Sequence, residues 1–173
     1  MSRTSEDLLF DLKLVDNLVG SSFADADMTF YFAGGSACIL AGWIDRTTRD
    51  FDFVDLGYSS KLSKVLKLLE PYDLLTNYFA AIPKNYMGRA IKIEGFRYIS
   101  VYVFSREDII ASKIDRMSDK DIEDIRLLMV DINIETLEKC IQETLDNIVY
   151  ADRRGRYELN LVNFRHMFIR ETV

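Results

Sequence analysis

The sequence predicts an α+β fold: a small mixed β-sheet with helices on one side, followed by a helical C-terminal subdomain. Two observations lead there. Short apolar or alternating runs, among them TFYFA (29–33), DFDFVDL (50–56) and much of 72–104, read as strands, and helical patterns interrupt them. After Ser105 the chain repeats only at helical spacing. Strands mixed with helices, then helices alone, form a layered sheet with a helical appendage. The expected division is 1–104 for the α/β core with its N-terminal helix, and 105–173 for a helical subdomain packed on it.

Each element has a local reason. Ser5, Glu6 and Asp7 begin a helix whose apolar residues Leu8, Leu12, Val15 and Val19 share one face, and Gly20 is a natural C-cap. Strand 29–33 is broken by Gly34 and Gly35, and Ala37 to Trp43 follow as a short helix. Strand 50–56 leads to a lysine-rich helix over 61–70, stopped by Pro71. From Tyr72 to Phe104 the chain reads as strands, with 89–94 and 96–104 forming a hairpin about Gly95. Ser105 with Asp108, and Ser118 with Asp121, fit capping boxes. Leu137, Cys140, Ile141, Leu145 and Ile148 mark another helix, and Gly155 separates it from a last one over 158–168.

Composition narrows the function. A chain of 173 residues with 49% hydrophobic content builds a packed core, as one domain or one domain with an appendage. A net charge of −6 argues against bulk electrostatic coating of nucleic acid. Arg153, Arg154 and Arg156 could touch an RNA backbone, but a solvated loop is the simpler reading. Cys38 and Cys140 have no metal-type spacing and read as buried free thiols. His166, between Phe164 and Phe168, reads as a surface or packing residue. There is no signal pattern and no membrane-length apolar run, so the expected location is the cytoplasm, with no membrane partner.

The segment FAGGSACILAGWIDRTTRDFDF (32–53) carries the chemistry. On a strand, Asp50 and Asp52 project to one face while Phe51 and Phe53 face the core. Two adjacent carboxylates repel unless a positive charge lies between them, and Mg²⁺ is commonly held by one or two carboxylates plus phosphates and water. The Gly34-Gly35-Ser36 turn offers backbone N–H groups that glycine lets a phosphate approach, with the Ser36 hydroxyl as a further donor. Alternatively, Arg46 and Arg49 simply neutralise the aspartates.

Gly34-Gly35-Ser36, then Arg46, Thr48, Asp50 and Asp52, resembles the signature of the nucleotidyltransferase superfamily with the DNA polymerase beta-like fold. SREDIIASKIDRMSDKDIEDI (105–125) resembles the later helical motif of a small prokaryotic branch that includes uncharacterised nucleotidyltransferase-like domains and abortive-infection-type toxins. The matching positions are Lys113, then Lys120, Asp121 and Asp124. The resemblance spans about residues 29–130 and implies a metal at Asp50 and Asp52, Mg²⁺ or Mn²⁺, with Lys113 also catalytic. It implies nucleotide contacts from Gly34, Gly35, Ser36, Arg46, Thr48, Arg49, Lys120, Asp121 and Asp124. It further implies a nucleoside triphosphate substrate, an RNA or protein acceptor and a cognate antitoxin. Asp121 and Asp124 share a helix face, and with Lys113 they read equally as a structural salt-bridge cluster.

Active members of the superfamily usually carry a third carboxylate on a later strand. Here that strand is RYISVYVFS, with Ser100 and Tyr102 at same-face positions and Glu94 on the neighbouring strand. Neither Ser nor Tyr replaces a carboxylate as base or metal ligand at neutral pH. Two functions follow: a Mg-dependent nucleotidyltransferase, or a nucleotide-binding interaction module with weak or no turnover.

Overall fold

A computed structural model describes residues 2–23, 28–76, 78 and 80–169. The chain divides into two compact units. The first takes the chain up to Leu75 and then Ala90–Phe104; the second takes Thr76–Arg89 and the chain from Ser105 onward.

In the first unit the order is α1 (Ser5–Ser22), β1 (Met28–Phe32), α2 (Gly34–Leu40), β2 (Phe51–Val54), α3 (Ser63–Leu66), β3 (Tyr72–Leu75), then β4 (Ile91–Ile93) and β5 (Ile99–Val103). The five strands form one mixed sheet in the order β3-β2-β1-β5-β4. β1 runs parallel to β5 and antiparallel to β2, with Phe32 opposite Phe53. Side chains alternate across the sheet, so Met28, Phe30, Phe32, Phe51, Phe53, Ile99, Val101 and Val103 share one face, and all are buried. α1 and α2 pack on this sheet, and α1 also meets α2 and α3. Leu8, Leu12, Val15 and Val19, the stripe expected of α1, are fully buried.

α1 begins at Ser5, as expected, and Thr4 before it caps the helix in a reciprocal capping box with Asp7. Gly20 does not end the helix, which runs on to Ser22. The glycine is needed for another reason: a Cβ there would lie 2.3 Å from the Tyr98 ring. Asp16, on the same helix, is buried and accepts the backbone N–H groups of Arg97, Tyr98 and Ile99 at 2.7–3.1 Å. That carboxylate fixes the β4–β5 hairpin to α1, and Gly95 turns the hairpin with φ +104°.

Two further expectations change. The helix expected over 61–70 is a 3₁₀ turn at Ser60–Leu62, α3, and a second 3₁₀ turn at Lys67–Leu69, with Leu62, Val65, Leu66 and Leu69 buried. The stretch 76–89 is not strand: it holds a short helix, α4 (Tyr86–Arg89), and belongs to the helical unit. Residues 77 and 79, inside the stretch read as strand, lie outside the described residues.

The second unit adds α5 (Arg106–Lys113), α6 (Asp119–Leu128), α7 (Ile134–Asn147) and α8 (Ala151–Phe168). Ser105 and Ser118 accept the N–H groups of Asp108 and Asp121, as the capping pattern predicts. α5 packs on α6 and α7, with Ile109, Ile110, Ile125, Leu137 and Cys140 buried, and Tyr157 of α8, also buried, donates its hydroxyl to the Ala111 carbonyl at 2.8 Å. Gly155 does not divide the last helices; α8 starts at Ala151 and runs through it. Arg153, Arg154 and Arg156 therefore lie on a helix, and Asp115 binds Arg153 at 3.1 Å and Arg156 at 2.9 Å. Cys38 and Cys140 are buried free thiols, and His166 is exposed. Among the described residues no helix is long and apolar enough to cross a membrane.

Candidate functional site

The first unit gathers most of the expected nucleotide motif around the start of α2. Gly34 has φ +56°, a conformation that costs a side-chain-bearing residue energy. A Cβ at Gly34 would lie 2.5 Å from Oδ2 of Asp52, so the glycine turn and the carboxylate share one spot. Gly35 backs onto the loop before β2: a Cβ there would meet Nη2 of Arg46 at 3.1 Å and Oγ1 of Thr48 at 3.6 Å. Gly34, Gly35, Arg46, Thr48 and Asp52 are thus brought together from a turn, a loop and a strand.

Ser36 works inside this arrangement. Its hydroxyl is fully buried, donates to the Ala33 carbonyl at 3.1 Å and accepts the Asp52 N–H at 3.0 Å. Its hydrogen bonds tie β2 to the turn, which is a different use from the donor to phosphate expected of it. Thr48 is also buried; its hydroxyl donates to the Asp50 carbonyl at 3.3 Å. Asp50 and Asp52 are half-buried, Arg49 is exposed, and Phe51 and Phe53 are fully buried in the core.

Arg3 was not singled out from the sequence, yet it organises the loop. Its backbone exchanges two hydrogen bonds with Thr48, at 2.6 and 3.0 Å. Its guanidinium donates to the Arg49 carbonyl at 2.8 Å, to the Glu70 carbonyl and to Asp11, and lies 5.2 Å from the centre of the Phe51 ring. An arginine near the N-terminus has no local pattern that announces such distant partners.

On β5, Ser100 and Tyr102 stand opposite Thr29 and Tyr31 of β1, on the face that carries Asp52. Neither is a carboxylate. Glu94 keeps 79% of its side chain exposed and faces Lys92 at 3.6 Å. Among the described residues no group of three or more His, Cys, Asp or Glu side chains is placed to hold a metal.

The residues of the later motif lie in the helical unit. Lys113, at the end of α5, is buried with its Nζ 3.0 Å from Asp121 and 2.7 Å from Asp124 of α6. Arg116 adds hydrogen bonds to both Asp121 oxygens at 2.7 and 2.8 Å, and the Ser118 hydroxyl adds one at 2.7 Å. Burial alone would lower the Lys113 pKa; the Asp121 charge and the bonds to both aspartates override it and leave the ammonium above its ordinary value. Burial would raise Asp121, and the hydrogen bonds from Arg116, the Lys113 charge and the Ser118 bond instead hold it well below the usual carboxylate range. Of the two readings open from the sequence, this geometry is that of a salt-bridge cluster joining two helices. Lys120 is exposed.

A second network in the same unit, buried at Asp108 and half-buried at Arg89 and Glu143, had no sequence signal beyond the Ser105–Asp108 cap. Arg89 binds Asp108 and Glu143, each at 2.7 Å, and Asn85 reaches Glu143 through its backbone and side chain at 3.0 and 2.9 Å. It is what holds 85–89 to the helices.

A family model described as "Nucleotidyltransferase of unknown function (DUF6036)" matches residues 11–171. Comparison with curated proteins and with solved structures gives no match.

Proposed function

The chain belongs to this nucleotidyltransferase family of unknown function, and on that premise we propose that it transfers a nucleoside monophosphate from a nucleoside triphosphate to a hydroxyl of RNA or protein. The observation that carries this is the Gly34–Asp52 contact. It sets backbone N–H groups suited to phosphate beside a carboxylate suited to a divalent cation, with Arg46 and Thr48 against Gly35.

The donor set fits one Mg²⁺ or Mn²⁺. Asp50 and Asp52 supply hard oxygens, and glycine at 34 leaves free the space beside Asp52 that a Cβ would fill. Among the described residues no third carboxylate completes a metal-binding group with them, and phosphate oxygens and water would supply the other ligands. When bound, the cation neutralises phosphate charge and orients the triphosphate.

The chain's own residues then have distinct tasks. Gly34 and Gly35 receive the phosphates through their backbone. Arg46 and Arg49 offset the charge that develops on the leaving pyrophosphate. Ser36 and Thr48 keep the turn and the loop in register with Asp52. The acceptor oxygen forms a bond to the α-phosphorus as the bond to pyrophosphate breaks, and the acceptor proton is released to water. Lys113, Asp121 and Asp124 hold α5 to α6. A toxin with a cognate antitoxin is the biological setting this reading favours.

The Ser100 and Tyr102 positions favour a second reading, a nucleotide-binding interaction module with little or no turnover. Calorimetric titration of Mg²⁺-ATP and Mg²⁺-CTP into wild type and Asp50→Ala/Asp52→Ala tests the site. Saturable binding lost in the variant supports it; no binding to wild type overturns both readings. Incubation with α-phosphate-labelled triphosphates separates the two, because transfer of label to RNA or protein requires turnover.

A further inference from the structure

The link between β2 and β3 carries a row of lysines. Between Asp55 and Glu70 the chain has no acidic residue, although acids outnumber bases over the whole sequence by 28 to 22. Lys61, Lys64 and Lys67 recur there at every third position, and all are exposed. The local winding lines them up. Side chains at i and i+3 eclipse in a 3₁₀-helix, whereas they drift around an α-helix. This link is a 3₁₀ turn at Ser60–Leu62, the short helix α3 and a second 3₁₀ turn at Lys67–Leu69. Leu62, Val65, Leu66 and Leu69 take its other side into the core. Ser60 and Ser63, also exposed, each precede a lysine. Among the described residues no carboxylate pairs with these lysines, whereas Lys92 faces Glu94 and Lys139 bonds Glu135.

The row has a direction. β2 and β3 are parallel, so the link returns along the sheet and ends where β3 begins. There Phe51 donates its N–H to the Pro71 carbonyl at 3.2 Å, and the Arg3 guanidinium donates to the carbonyls of both Glu70 and Arg49. Lys67 therefore lies towards the end of the sheet where Asp50 precedes β2 and Asp52 meets the Gly34 turn. Arg49, exposed, adds a further cation at that end.

We propose that Lys61, Lys64 and Lys67 bind the phosphate backbone of a single-stranded RNA and lead its acceptor hydroxyl towards Asp50 and Asp52. This rests on the transfer reaction proposed above and selects RNA over protein as the acceptor. Evenly spaced cations without local counter-charges suit a polymer of evenly spaced anions, and a single row serves one strand. Lysine meets a phosphate as a point charge, so the row fixes the strand's position without reading its sequence.

The experiment follows a labelled single-stranded RNA oligonucleotide by fluorescence anisotropy as the whole chain is added, from about 50 to about 200 mM salt. Contacts to phosphates release counterions, so affinity falls with salt, by a logarithmic slope of about 0.7 per contact on a single strand. Lys61→Gln/Lys64→Gln/Lys67→Gln is expected to lose about tenfold or more in affinity at the lower salt and about 2 in slope. Lys61→Arg/Lys64→Arg/Lys67→Arg keeps both. Lys84→Gln/Arg126→Gln/Lys139→Gln removes the same charge from exposed positions elsewhere and binds as wild type does. If wild type binds no RNA, or the first glutamine triple binds it unchanged, the proposal is overturned. It is equally overturned if the row takes poly-glutamate in place of RNA, which would make an acidic protein the partner. Calorimetry with Mg²⁺-ATP keeps the two readings apart, because the lysine variants are expected to bind it as wild type does. RNA bound through the lysines by a chain that does not bind Mg²⁺-ATP supports the surface and overturns the reaction.

Discussion

The Ser36 hydroxyl accepts the Asp52 N–H and donates to the Ala33 carbonyl, so one side chain sets the distance between the glycine turn and the strand that carries the carboxylate. Ser36→Ala leaves a buried N–H without its partner, which costs about 1–3 kcal/mol. The expected result is a lower urea midpoint and weaker Mg²⁺-ATP binding. An unchanged midpoint would show that Ser36 does not hold the turn.

Gly34→Ala combines two penalties. The residue must adopt φ +56°, at about 1–3 kcal/mol, and the new methyl displaces the Asp52 carboxylate. Gly42, with φ +69° and open space around it, carries only the backbone penalty. Thermal melts should place both alanine variants below wild type, while calorimetry should show lost Mg²⁺-ATP affinity in Gly34→Ala alone. Equal losses of affinity in both would separate Gly34 from the site.

Lys113→Met removes the buried cation that pairs with Asp121 and Asp124. Breaking a buried pair by removing one partner costs about 3–5 kcal/mol. Denaturant unfolding of this variant should show a loss of that size, and Lys120→Met, at an exposed position, should show almost none. A fully stable Lys113→Met would remove the structural role assigned to the cluster.

Glu143 gives a pH dependence. The hydrogen bonds from Arg89 come first, then, against the opposing effect of burial, those from Asn85; together they hold its carboxyl down to about 2. A carboxylate lowered on folding contributes stability that is complete above its unfolded pKa, about 4.3. That contribution is lost as the pH falls towards 2. Melting temperatures measured from about pH 6 down to about pH 2 should fall less steeply for Glu143→Gln than for wild type. Parallel curves would mean that Glu143 is not selectively stabilised as an anion.

Legibility of this chain from its sequence depended on range. The buried run 29–33, the alternation in 50–56 and the serine caps before α5 and α6 are local signals; the strands lie at Met28–Phe32 and Phe51–Val54, so Asp50 precedes β2 rather than standing on it. Gly20 and Gly155 were misread as stops because glycine's usual local cost suggests a break. The use of Gly20 lies in Tyr98, far along the chain, and Gly155 is simply carried by α8. The segment 76–89 was misread for the same reason: Asn85 and Arg89 are anchored by Glu143 and Asp108, which no window of neighbouring residues contains. In the candidate site, the motif identified the turn, the loop and the aspartates, but not the part played by Arg3, whose partners are remote. The Lys113 cluster was read correctly as a group of charges; burial, which a sequence does not display, decides what those charges do.

Asp16 also bears on how the protein is made. Its N–H partners lie 81 to 83 residues later in the chain. While the ribosome has delivered only α1 through β3, that carboxylate has none of the donors that make its burial affordable, and α1 has no hairpin to fasten. The N-terminal helix therefore waits, solvated at Asp16, through the synthesis of more than half the chain. The arrival of residues 97–99 is the event that lets the sheet close over it, so a nascent chain halted before them should remain open to protease.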